Sequence, residues 1–315
     1  MLSQQIDVKI HQLKIPSKQQ IKIIVTVLGC GALGKLWLTA FIRQGHIVQG
    51  WLQVPKRFFT VNIRSYDGIE SIFLLPANNV NLLNNSEILL VTLKARHVSK
   101  AIRKILPKLR SNCIILLIHN GLGIKEELPK LIQPLLLGTT THAAYSKEGK
   151  IYHISTGITS IGPGNTKAKS CNQIIDILHQ VMPKVIWYNN ITISSWIKLA
   201  VNCVINPLSV VYNCCNGELE HHYDEITAIC REVIIVMNYE GYNPNYDLLL
   251  LYICKVIHNT SSNISSMLQD IRANKISEID YINGYLLKRA RFYGLKLPVN
   301  QWLFNYIKDK EQRYK

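Results

Sequence analysis

A polar stripe inside an apolar segment is the first feature of this sequence that could support chemistry. Lys198, Asn202 and Asn206 follow one another at intervals of four residues within the apolar stretch Ile193–Val211. On a helix of 3.6 residues per turn, side chains at this interval lie on one face. An amine and two carboxamides on a buried face need partners, because burying unpaired polar groups costs free energy. Either they bond neighbouring helices, with the lysine reaching towards solvent, or they line a cleft, and the apolar surroundings favour the cleft.

A glycine-rich segment near the N-terminus has the pattern of a dinucleotide-binding turn. Gly29-Cys30-Gly31-Ala32-Leu33-Gly34 matches G-x-G-x-x-G, follows the β-branched run Ile23–Leu28 and precedes a helical pattern. In such a turn the first glycine allows the bend, the second lets the backbone approach a pyrophosphate, and the third lets the helix pack on the strand. The segment therefore predicts a dinucleotide site, the alternative being a tight turn without a ligand.

The region after the second predicted strand, Ile47–Leu52, indicates which dinucleotide is bound. Sites for NAD carry an acidic residue about 20 positions after the glycine turn, where it binds the ribose 2′-hydroxyl. Residues 46–59 contain no Asp or Glu; Gln53 stands there, followed by Lys56 and Arg57. Because basic residues attract a 2′-phosphate, we predict a preference for NADP over NAD. The alternative is that Lys56 and Arg57 belong to a solvated loop.

Two further predicted strands end in polar residues that could reach the same ligand. Glu87–Leu93 ends at Lys94, and Cys113–Ile118 is followed by His119 and Asn120. Ligands of doubly wound sheets bind beyond the carboxyl ends of the strands. Lys94 could therefore contact phosphate or ribose, and Asn120 could approach the nicotinamide ribose and the substrate together. The alternative for each is a turn residue that bonds its own backbone.

The pattern changes from strands to helices after about Tyr188. Before that point Ser160–Gly164 is predicted to be a turn. Pro207 predicts a kink or break near Asn206. Asn263–Ser266 resembles a helix N-cap region, which also suits a substrate carboxylate. Beyond the stretch that holds the polar stripe, helices are predicted at about Asp224–Glu240, Tyr246–Asn259, Ser265–Ala273 and Glu278–Tyr293.

These segments predict an α/β chain in which a Rossmann-type parallel-sheet domain precedes an all-α C-terminal domain. We expect the NADP-binding domain to span residues 21–189 and the helical substrate and catalytic domain to span residues 190–315. Residues 1–20 are expected to form a poorly ordered leader, since they are polar and precede the first strand.

Composition excludes several classes of protein. The 315 residues are 48% hydrophobic, which is too apolar for a disordered chain. The net charge of +16 is scattered, and without a recognisable nucleic-acid-binding motif we predict no specific nucleic-acid partner. No run of about 18 apolar residues predicts a membrane span. The eight cysteines lack zinc-ligand spacing, so we expect reduced thiols, no metal site and a cytoplasmic protein.

Several of these segments together resemble the ketopantoate reductase (2-dehydropantoate 2-reductase) family. The resemblance covers nearly all of residues 21–311 and is carried by Gly29–Gly34, Lys94, His119–Gly121, Lys198–Pro207, Asn216–Leu219, Asn263–Arg272 and Glu278–Gly284. It implies NADPH-dependent reduction of 2-dehydropantoate to (R)-pantoate, a step of pantothenate and hence coenzyme A synthesis. It also implies an active site in the cleft between a Rossmann domain and an α-helical domain.

The resemblance also implies a role for each matching residue. Lys198 is the general acid that protonates the oxyanion formed by hydride transfer, and Glu278 contacts the cofactor and helps to tune Lys198. Ser266 is expected at the substrate carboxylate. The substrate-contacting positions are Asn120, Lys198, Asn202, Asn206, Asn216 and Ser266. The cofactor-contacting positions are Gly29, Cys30, Gly31, Ala32, Leu33, Gly34, Lys94, Asn120, Ala144 and Glu278.

Two features depart from the family pattern. Gln53 stands where members often have an arginine that grips the 2′-phosphate, which leaves Lys56 or Arg57 to compensate. The leader before Ile21 has no counterpart. The sequence leaves open a related NADP-dependent reductase of another 2-oxo acid. It also leaves open a non-catalytic NADP-binding or nucleic-acid-binding protein, although such a protein would be expected to have lost the residues that Lys198 and Glu278 represent. It also leaves open whether the protein is a monomer or a homodimer.

Overall fold

The computed structural model of the chain describes residues 22–182 and 184–313. The predicted leader, residues 1–20, lies outside the described residues. The strands are β1 (Ile24–Leu28), β2 (Ile47–Trp51), β3 (Phe58–Arg64), β4 (Glu70–Pro76), β5 (Ile88–Val91), β6 (Ile114–Ile118), β7 (Leu135–Thr140), β8 (Ala143–Lys147), β9 (Lys150–Ser155), β10 (Thr159–Pro163) and β11 (Val185–Trp187). The α-helices are α1 (Ala32–Arg43), α2 (Val80–Asn84), α3 (Ala95–Ile105), α4 (Ile124–Glu127), α5 (Ile174–Val181), α6 (Ile191–Tyr212), α7 (Tyr223–Tyr239), α8 (Tyr246–Asn259), α9 (Ser266–Arg272), α10 (Asn283–Phe292) and α11 (Pro298–Gln312).

The main sheet has the strand order β11-β10-β7-β6-β5-β1-β2. From β2 to β7 its strands are parallel, while β10 runs antiparallel to β7. Because β2 and β5 flank β1 on opposite sides, the order of the strands reverses beside β1, where ligands of such sheets bind. Helices α1 and α5 cover one face and α3 covers the other, which explains the uninterrupted apolar runs of the strands. The predicted fold class, a Rossmann-type sheet followed by an α-helical domain, is confirmed.

The predicted turn at Ser160–Gly164 is wrong. These residues largely belong to β10, which pairs with β7 from Thr159 opposite Thr140 to Pro163 opposite Leu136. Gly162 and Pro163 have the composition of a turn, but the glycine serves a close approach instead. A Cβ atom at Gly162 would lie 2.3 Å from the carbonyl oxygen of Tyr188. Long-range packing therefore overrides the local turn signal.

A second sheet, with the strand order β4-β3-β9-β8, was not predicted. One face packs on α1 through buried residues such as Val61 and Ile151, close to Trp37 and Phe41. Its other face is open, so that Ile72 on the edge strand β4 is 70% exposed. The sheet's two hairpins, β3–β4 and β8–β9, turn at Asp67-Gly68 and Glu148-Gly149, which are local hairpin signals. The parallel pairing of β3 with β9 spans more than 80 intervening residues and has no local signal. The second sheet and the main sheet enclose α1 between them.

The helical domain is built around α6. Buried apolar residues of α6, including Trp196, Leu199 and Val204, pack against α7, α8, α10 and α11. By length and mean hydropathy α6 could cross a membrane, but 61% of its most apolar window is buried inside the protein. This burial fits the core helix of a soluble protein.

Two predicted features of the helices are wrong. Of the kink or break expected near Asn206, the break does not occur, because α6 continues through Pro207 to Tyr212. Pro207 has no N–H to donate to the carbonyl of Cys203, and the side chain of Asn283 donates to that carbonyl instead, at 3.2 Å. The helix predicted at Glu278–Tyr293 is divided, since Ile282 has φ −106° and ψ −97° and separates a 3₁₀ turn from α10.

Gly34→Ala is expected to lower the free energy of unfolding by about 1–3 kcal/mol, because it overpacks the contact of α1 with the glycine turn. A Cβ atom at Gly34 would lie 2.0 Å from the carbonyl oxygen of Gly29 and 2.6 Å from Oγ1 of Thr92. Gly31→Ala is the matched control, since a Cβ atom there meets nothing within 4 Å. Urea titration of the two variants measures the difference. Equal losses would contradict the packing role of Gly34.

Candidate active site

Glu278 lies where the carboxyl edge of the main sheet meets the helical domain. Its side chain is 7% exposed. Oε1 accepts the N–H of Ala95 at 3.0 Å, and Oε2 accepts from Nδ2 of Asn120 at 3.3 Å. Ala95 is the first residue of α3, so the carboxylate lies at the positive end of that helix. One buried side chain of the helical domain therefore binds the ends of two adjacent strand–loop units.

Lys94 takes part in the same contact between domains. Its Nζ lies 2.6 Å from Oδ2 of Asp270 on α9 and 3.9 Å from Oε2 of Glu278. Burial raises the pKa of the Asp270 carboxyl, and the ammonium of Lys94 opposes that shift. Asp270 was not among the residues predicted from the sequence. A usable signal existed, since Asp270 lies four residues after Ser266 and therefore on the same face of α9.

Backbone contacts complete the docking of the two domains. Nη1 of Arg96 donates to the carbonyl of Ile276 at 2.6 Å, and the N–H of Leu122 donates to the carbonyl of Tyr281 at 2.9 Å. Gly121 has φ +80°, and a Cβ atom there would lie 2.4 Å from the Tyr281 carbonyl oxygen. Only glycine fits this position. The turn after β6 is thus shaped to hold Asn120 against Glu278.

The amine of Lys198 lies close to this junction. Its Nζ donates to the carbonyl of Thr140 at the end of β7, at 2.7 Å. Burial lowers the pKa of Lys198 from 10.5 to about 8, and the Glu278 carboxylate opposes the shift. Burial also lowers the pKa of His119, which Glu278 raises and Lys198 lowers. Lys198, Glu278 and His119 therefore form one electrostatic group.

The polar stripe of α6 runs from a cavity into the core. Lys198 and Asn202 line a cavity of about 780 Å³ between the strand ends at Thr139–His142 and helix α8. Asn206, one turn further along the uninterrupted helix, is 5% exposed. The structure thus places two members of the stripe at an open cavity and the third beneath the surface.

Asn216 and Ser266 lie on the segments that meet at the start of α9. The N–H of Asn216 donates to the carbonyl of Asn263 at 2.9 Å, and its Nδ2 donates to Oγ1 of Thr260 at 2.9 Å. Its Oδ1 is buried and has no partner among the residues that the structure describes. Ser265 caps α9, as the sequence predicted, by accepting the N–H of Leu268 at 3.0 Å. Ser266, the next residue, is exposed.

The glycine turn leads into the N-terminus of α1. In the described part of the chain no side chain caps this helix, and its first turn contains no acidic residue. The free N–H groups of such an end attract anions. The space beside Gly31 is open, because a Cβ atom there meets nothing within 4 Å. Cys30 can offer only its backbone, since its thiol is buried, donates to the carbonyl of Val27 and has a pKa raised by burial to about 12.

The loop after β2 borders a second cavity of about 400 Å³. Lys56 and Arg57 line it, and Asn78 closes the other side. Asn78 donates to the carbonyl of Leu52 at 3.0 Å and accepts the N–H of Lys56 at 3.2 Å, so it fixes the shape of the loop. Gln53, Lys56 and Arg57 are all exposed.

Ala144 lies on β8, away from the Glu278 junction. It lines a cavity of about 480 Å³, opposite Asn263 and Ile264 of the segment before α9. Across residues 22–182 and 184–313, no group of three or more His, Cys, Asp or Glu side chains is arranged to hold a metal ion. The eight cysteines are free.

Comparison with known proteins gives consistent matches for both halves of the chain. Residues 25–166 match the family described as ketopantoate reductase PanE/ApbA, and residues 190–311 match its C-terminal region. The 2-dehydropantoate 2-reductase of Salmonella typhimurium (strain LT2) is 52% identical over 290 residues, which cover 92% of this chain and 96% of that protein.

Two solved structures show the breadth of this fold. D-mandelate dehydrogenase with NADH and anilino(oxo)acetate superposes with a TM-score of 0.82 at 20% identity, covering 92% of this chain and 99% of the other. A dimeric ketopantoate reductase from Staphylococcus aureus gives a TM-score of 0.77 at 17% identity, covering 92% of this chain and 99% of the other. At these identities the likeness shows the fold alone.

The matches cover both domains and nearly the whole length of the Salmonella protein. They confirm the family resemblance that the sequence motifs indicated. The chain accordingly belongs to the 2-dehydropantoate 2-reductase (ketopantoate reductase) family, oxidoreductases that act on a small-molecule 2-oxo acid.

Proposed function

We propose that this protein catalyses the NADPH-dependent reduction of 2-dehydropantoate to (R)-pantoate. Membership of the family supports the substrate. The observation that carries the mechanism is the amine of Lys198, which has a pKa lowered to about 8 and lines the cavity between the sheet and α8. A general acid is most effective when its pKa lies near the operating pH.

The residues at the sheet edge fit NADPH. The open backbone at Gly31 and the uncapped start of α1 suit the pyrophosphate. The loop that carries Lys56 and Arg57 suits a 2′-phosphate, whereas Gln53 adds no charge. A structural relative, D-mandelate dehydrogenase, is described with NADH, which supports a nicotinamide cofactor.

Four other residues complete the proposed cofactor site. Lys94, Asn120 and Glu278 are joined by their contacts at the junction of the domains, and Ala144 lines the cavity opposite Asn263. The ammonium of Lys94 is paired with Asp270. To contact the cofactor, this ammonium must either turn away from the carboxylate or bind the carboxylate and the cofactor at the same time.

Lys198 supplies the proton. When the cofactor is bound, its reduced nicotinamide supplies a hydride to the ketone carbon of the substrate. The ammonium of Lys198 stabilises the negative charge that develops on the ketone oxygen and then transfers a proton to it. Stabilising a charge that exists only in the transition state accelerates the step. The ammonium has three N–H donors, and only one is needed for the hydrogen bond to the carbonyl of Thr140, which leaves another to reach that oxygen.

The remaining polar residues would orient the substrate. Asn202 lines the cavity beside Lys198, and we assign to it and to Asn206 the carbonyl and hydroxyl of the substrate. Asn120 would contact cofactor and substrate together. Ser266 is exposed at the start of α9 and is assigned to the carboxylate, with Asn216 beside the same segment. The buried, unpaired Oδ1 of Asn216, judged within the described residues, leaves one acceptor for a ligand.

The proposal includes a biological setting. Pantoate formation places the enzyme in pantothenate and coenzyme A biosynthesis, and a cytoplasmic location agrees with the core-helix character of α6. Residues 21–189 would then be the NADP-binding domain and residues 190–315 the catalytic domain. Both a monomer and a homodimer remain compatible with this assignment; the Staphylococcus aureus relative is described as dimeric.

The direct test is oxidation of NADPH with 2-dehydropantoate, repeated with NADH and with 2-oxoisovalerate. We expect turnover that is fastest with NADPH and 2-dehydropantoate. Faster turnover of 2-oxoisovalerate would replace the pantoate assignment with that of a reductase for another 2-oxo acid. The absence of turnover with all of these pairs would contradict the proposed activity.

Lys198→Ala is expected to lower kcat by a factor of roughly 100 or more, because it removes the proton donor. The Kd of NADPH, measured by fluorescence titration, should change little because the cofactor is held mainly by the other domain. Lys104→Ala is the control, since Lys104 is an exposed lysine of α3 far along the helix from Lys94. An unchanged kcat in Lys198→Ala would remove this amine from the mechanism.

The pH dependence of kcat provides a separate prediction. Lys198 donates a proton only when protonated, so kcat should be high below its pKa of about 8 and should fall as the pH rises above it. Glu278→Gln removes the carboxylate that raises the pKa of Lys198, so the falling limb should move to lower pH. If the fall in kcat at high pH stays in place in Glu278→Gln, or moves to higher pH, the electrostatic link between Glu278 and Lys198 is contradicted.

Charge changes in the loop after β2 should alter cofactor preference. The double variant Lys56→Ala with Arg57→Ala is expected to raise the KM for NADPH by roughly tenfold or more while leaving that for NADH nearly unchanged, because only NADPH carries the 2′-phosphate. Gln53→Arg should lower the KM for NADPH. Steady-state kinetics with both cofactors measures the ratio. Parallel changes for NADPH and NADH would show that the loop does not contact the 2′-phosphate.

A further inference from the structure

The proline inside α6 leaves a backbone acceptor without its helical donor. Residue 207 would normally donate its N–H to the carbonyl of Cys203, but proline has none. Cys203 is fully buried, so water cannot replace the lost donor. An unpaired carbonyl at this depth would favour bending or opening the helix. The break would fall between Lys198 and the end of the polar stripe.

Asn283 supplies the missing donor from another helix. Its side chain, at the start of α10, is fully buried. Nδ2 donates both to the carbonyl of Cys203 at 3.2 Å and to Oδ1 of Asn300 at 2.9 Å. Its Oδ1 has no partner within the described residues, so Nδ2 donates both hydrogen bonds of this side chain.

A carboxylate fixes the direction of this amide. Oε2 of Glu232 on α7 accepts from Nδ2 of Asn300 at 2.7 Å and from its N–H at 2.8 Å, while Oε1 accepts the N–H of Val299 at 2.9 Å. An ionised carboxylate only accepts. Asn300 must therefore turn its Nδ2 to Glu232 and its Oδ1 to Asn283. Because that Oδ1 is an acceptor, Asn283 must turn its donor, Nδ2, towards it. The donor for Cys203 is thus oriented by a chain of side chains that begins on α7.

We propose that Asn283 is a positioning residue for the polar stripe: its amide takes the place of the hydrogen bond that Pro207 removes and keeps α6 continuous at Cys203, between Asn202 and Asn206. Cys203 directly follows Asn202, so a shift of its carbonyl displaces the residues to which substrate contact is assigned. This inference rests on the proposed function for its effect on catalysis. Its effect on the helix does not depend on that function.

A double-mutant cycle in unfolding tests the structural part. Asn283→Ala should raise the equilibrium constant of unfolding, because it leaves the Cys203 carbonyl unpaired. In a Pro207→Ala background the N–H of residue 207 can donate to that carbonyl. Asn283→Ala should then raise the equilibrium constant of unfolding by a factor roughly ten times smaller than in the wild-type background, because a tenfold change corresponds to about one buried hydrogen bond. Leu287→Ala, a buried change one turn further along α10, is the control and should have equal effects in both backgrounds.

Asn283→Ser is the second variant in case Asn283→Ala does not fold. Its shorter side chain also loses the contact but leaves a smaller cavity. We expect Pro207→Ala to reduce the damage done by either substitution. Equal effects of the Asn283 substitution in the wild-type and Pro207→Ala backgrounds would overturn the inference, whether or not the protein reduces 2-dehydropantoate.

Catalysis tests the positioning part. At a temperature at which all variants are folded, Asn283→Ala or Asn283→Ser should lower kcat by roughly tenfold or more, with an unchanged Kd for NADPH, and Pro207→Ala should recover part of the loss. If the Asn283 and Pro207 substitutions are coupled in unfolding but the Asn283 substitution leaves kcat unchanged, Asn283 has only a structural role and the positioning role is overturned. If the wild-type protein shows no turnover, the proposed function fails, while the unfolding cycle still decides the role of Asn283 in α6.

Discussion

A buried carboxylate must be paired, and the pairing of Glu278 determines how the two domains of this protein meet. Charged groups of this kind are costly to bury unless hydrogen bonds and opposite charges compensate. Glu278 finds three such partners on the other domain: the N–H of Ala95, the amide of Asn120 and, at 3.9 Å, the ammonium of Lys94. The partners lie at the ends of adjacent parallel strands, where such sheets bind their ligands. Together with the Lys94–Asp270 pair and the backbone contacts of Arg96 and Leu122, the pairing of this carboxylate holds the helical domain against the edge of the sheet.

The same carboxylate sets the charge of the amine that we assign to catalysis. Burial alone favours a neutral Lys198, and Glu278 partly restores its proton, with the result that its pKa is about 8. A solvated lysine would hold its proton more tightly than a general acid should, and one buried without a carboxylate would lose it too readily. The hydrogen bond to the carbonyl of Thr140 then holds the amine beside the cavity. The contact between the domains and the pKa of Lys198 thus depend on one cluster.

Local sequence patterns predicted the parts of this structure that local physics determines. The glycine turn, the strands that end near Lys94 and Asn120, and the helix of the polar stripe all follow from periodicity and from the needs of a tight turn. The parallel pairing of β3 with β9, the position of β10 and the unbroken course of α6 through Pro207 depend on contacts between residues far apart in the chain. A short stretch of sequence does not contain such contacts. The ion pair of Lys94 with Asp270 joins residues 176 positions apart. The interval from Ser266 placed Asp270 on the same face of α9, but it gave no indication that Lys94 is its partner.

If Lys198 is the proton donor, its amine must reach the reacting oxygen of the substrate in the cleft beside Glu278. A crystal structure of the protein with NADP⁺ and pantoate tests this requirement most directly. We expect Nζ of Lys198 to lie about 2.7–3.2 Å from the C2 hydroxyl oxygen of pantoate, with Glu278 still bound to Asn120. Pantoate held elsewhere, with Nζ outside hydrogen-bond distance of its C2 hydroxyl, would rule out this amine as the proton donor.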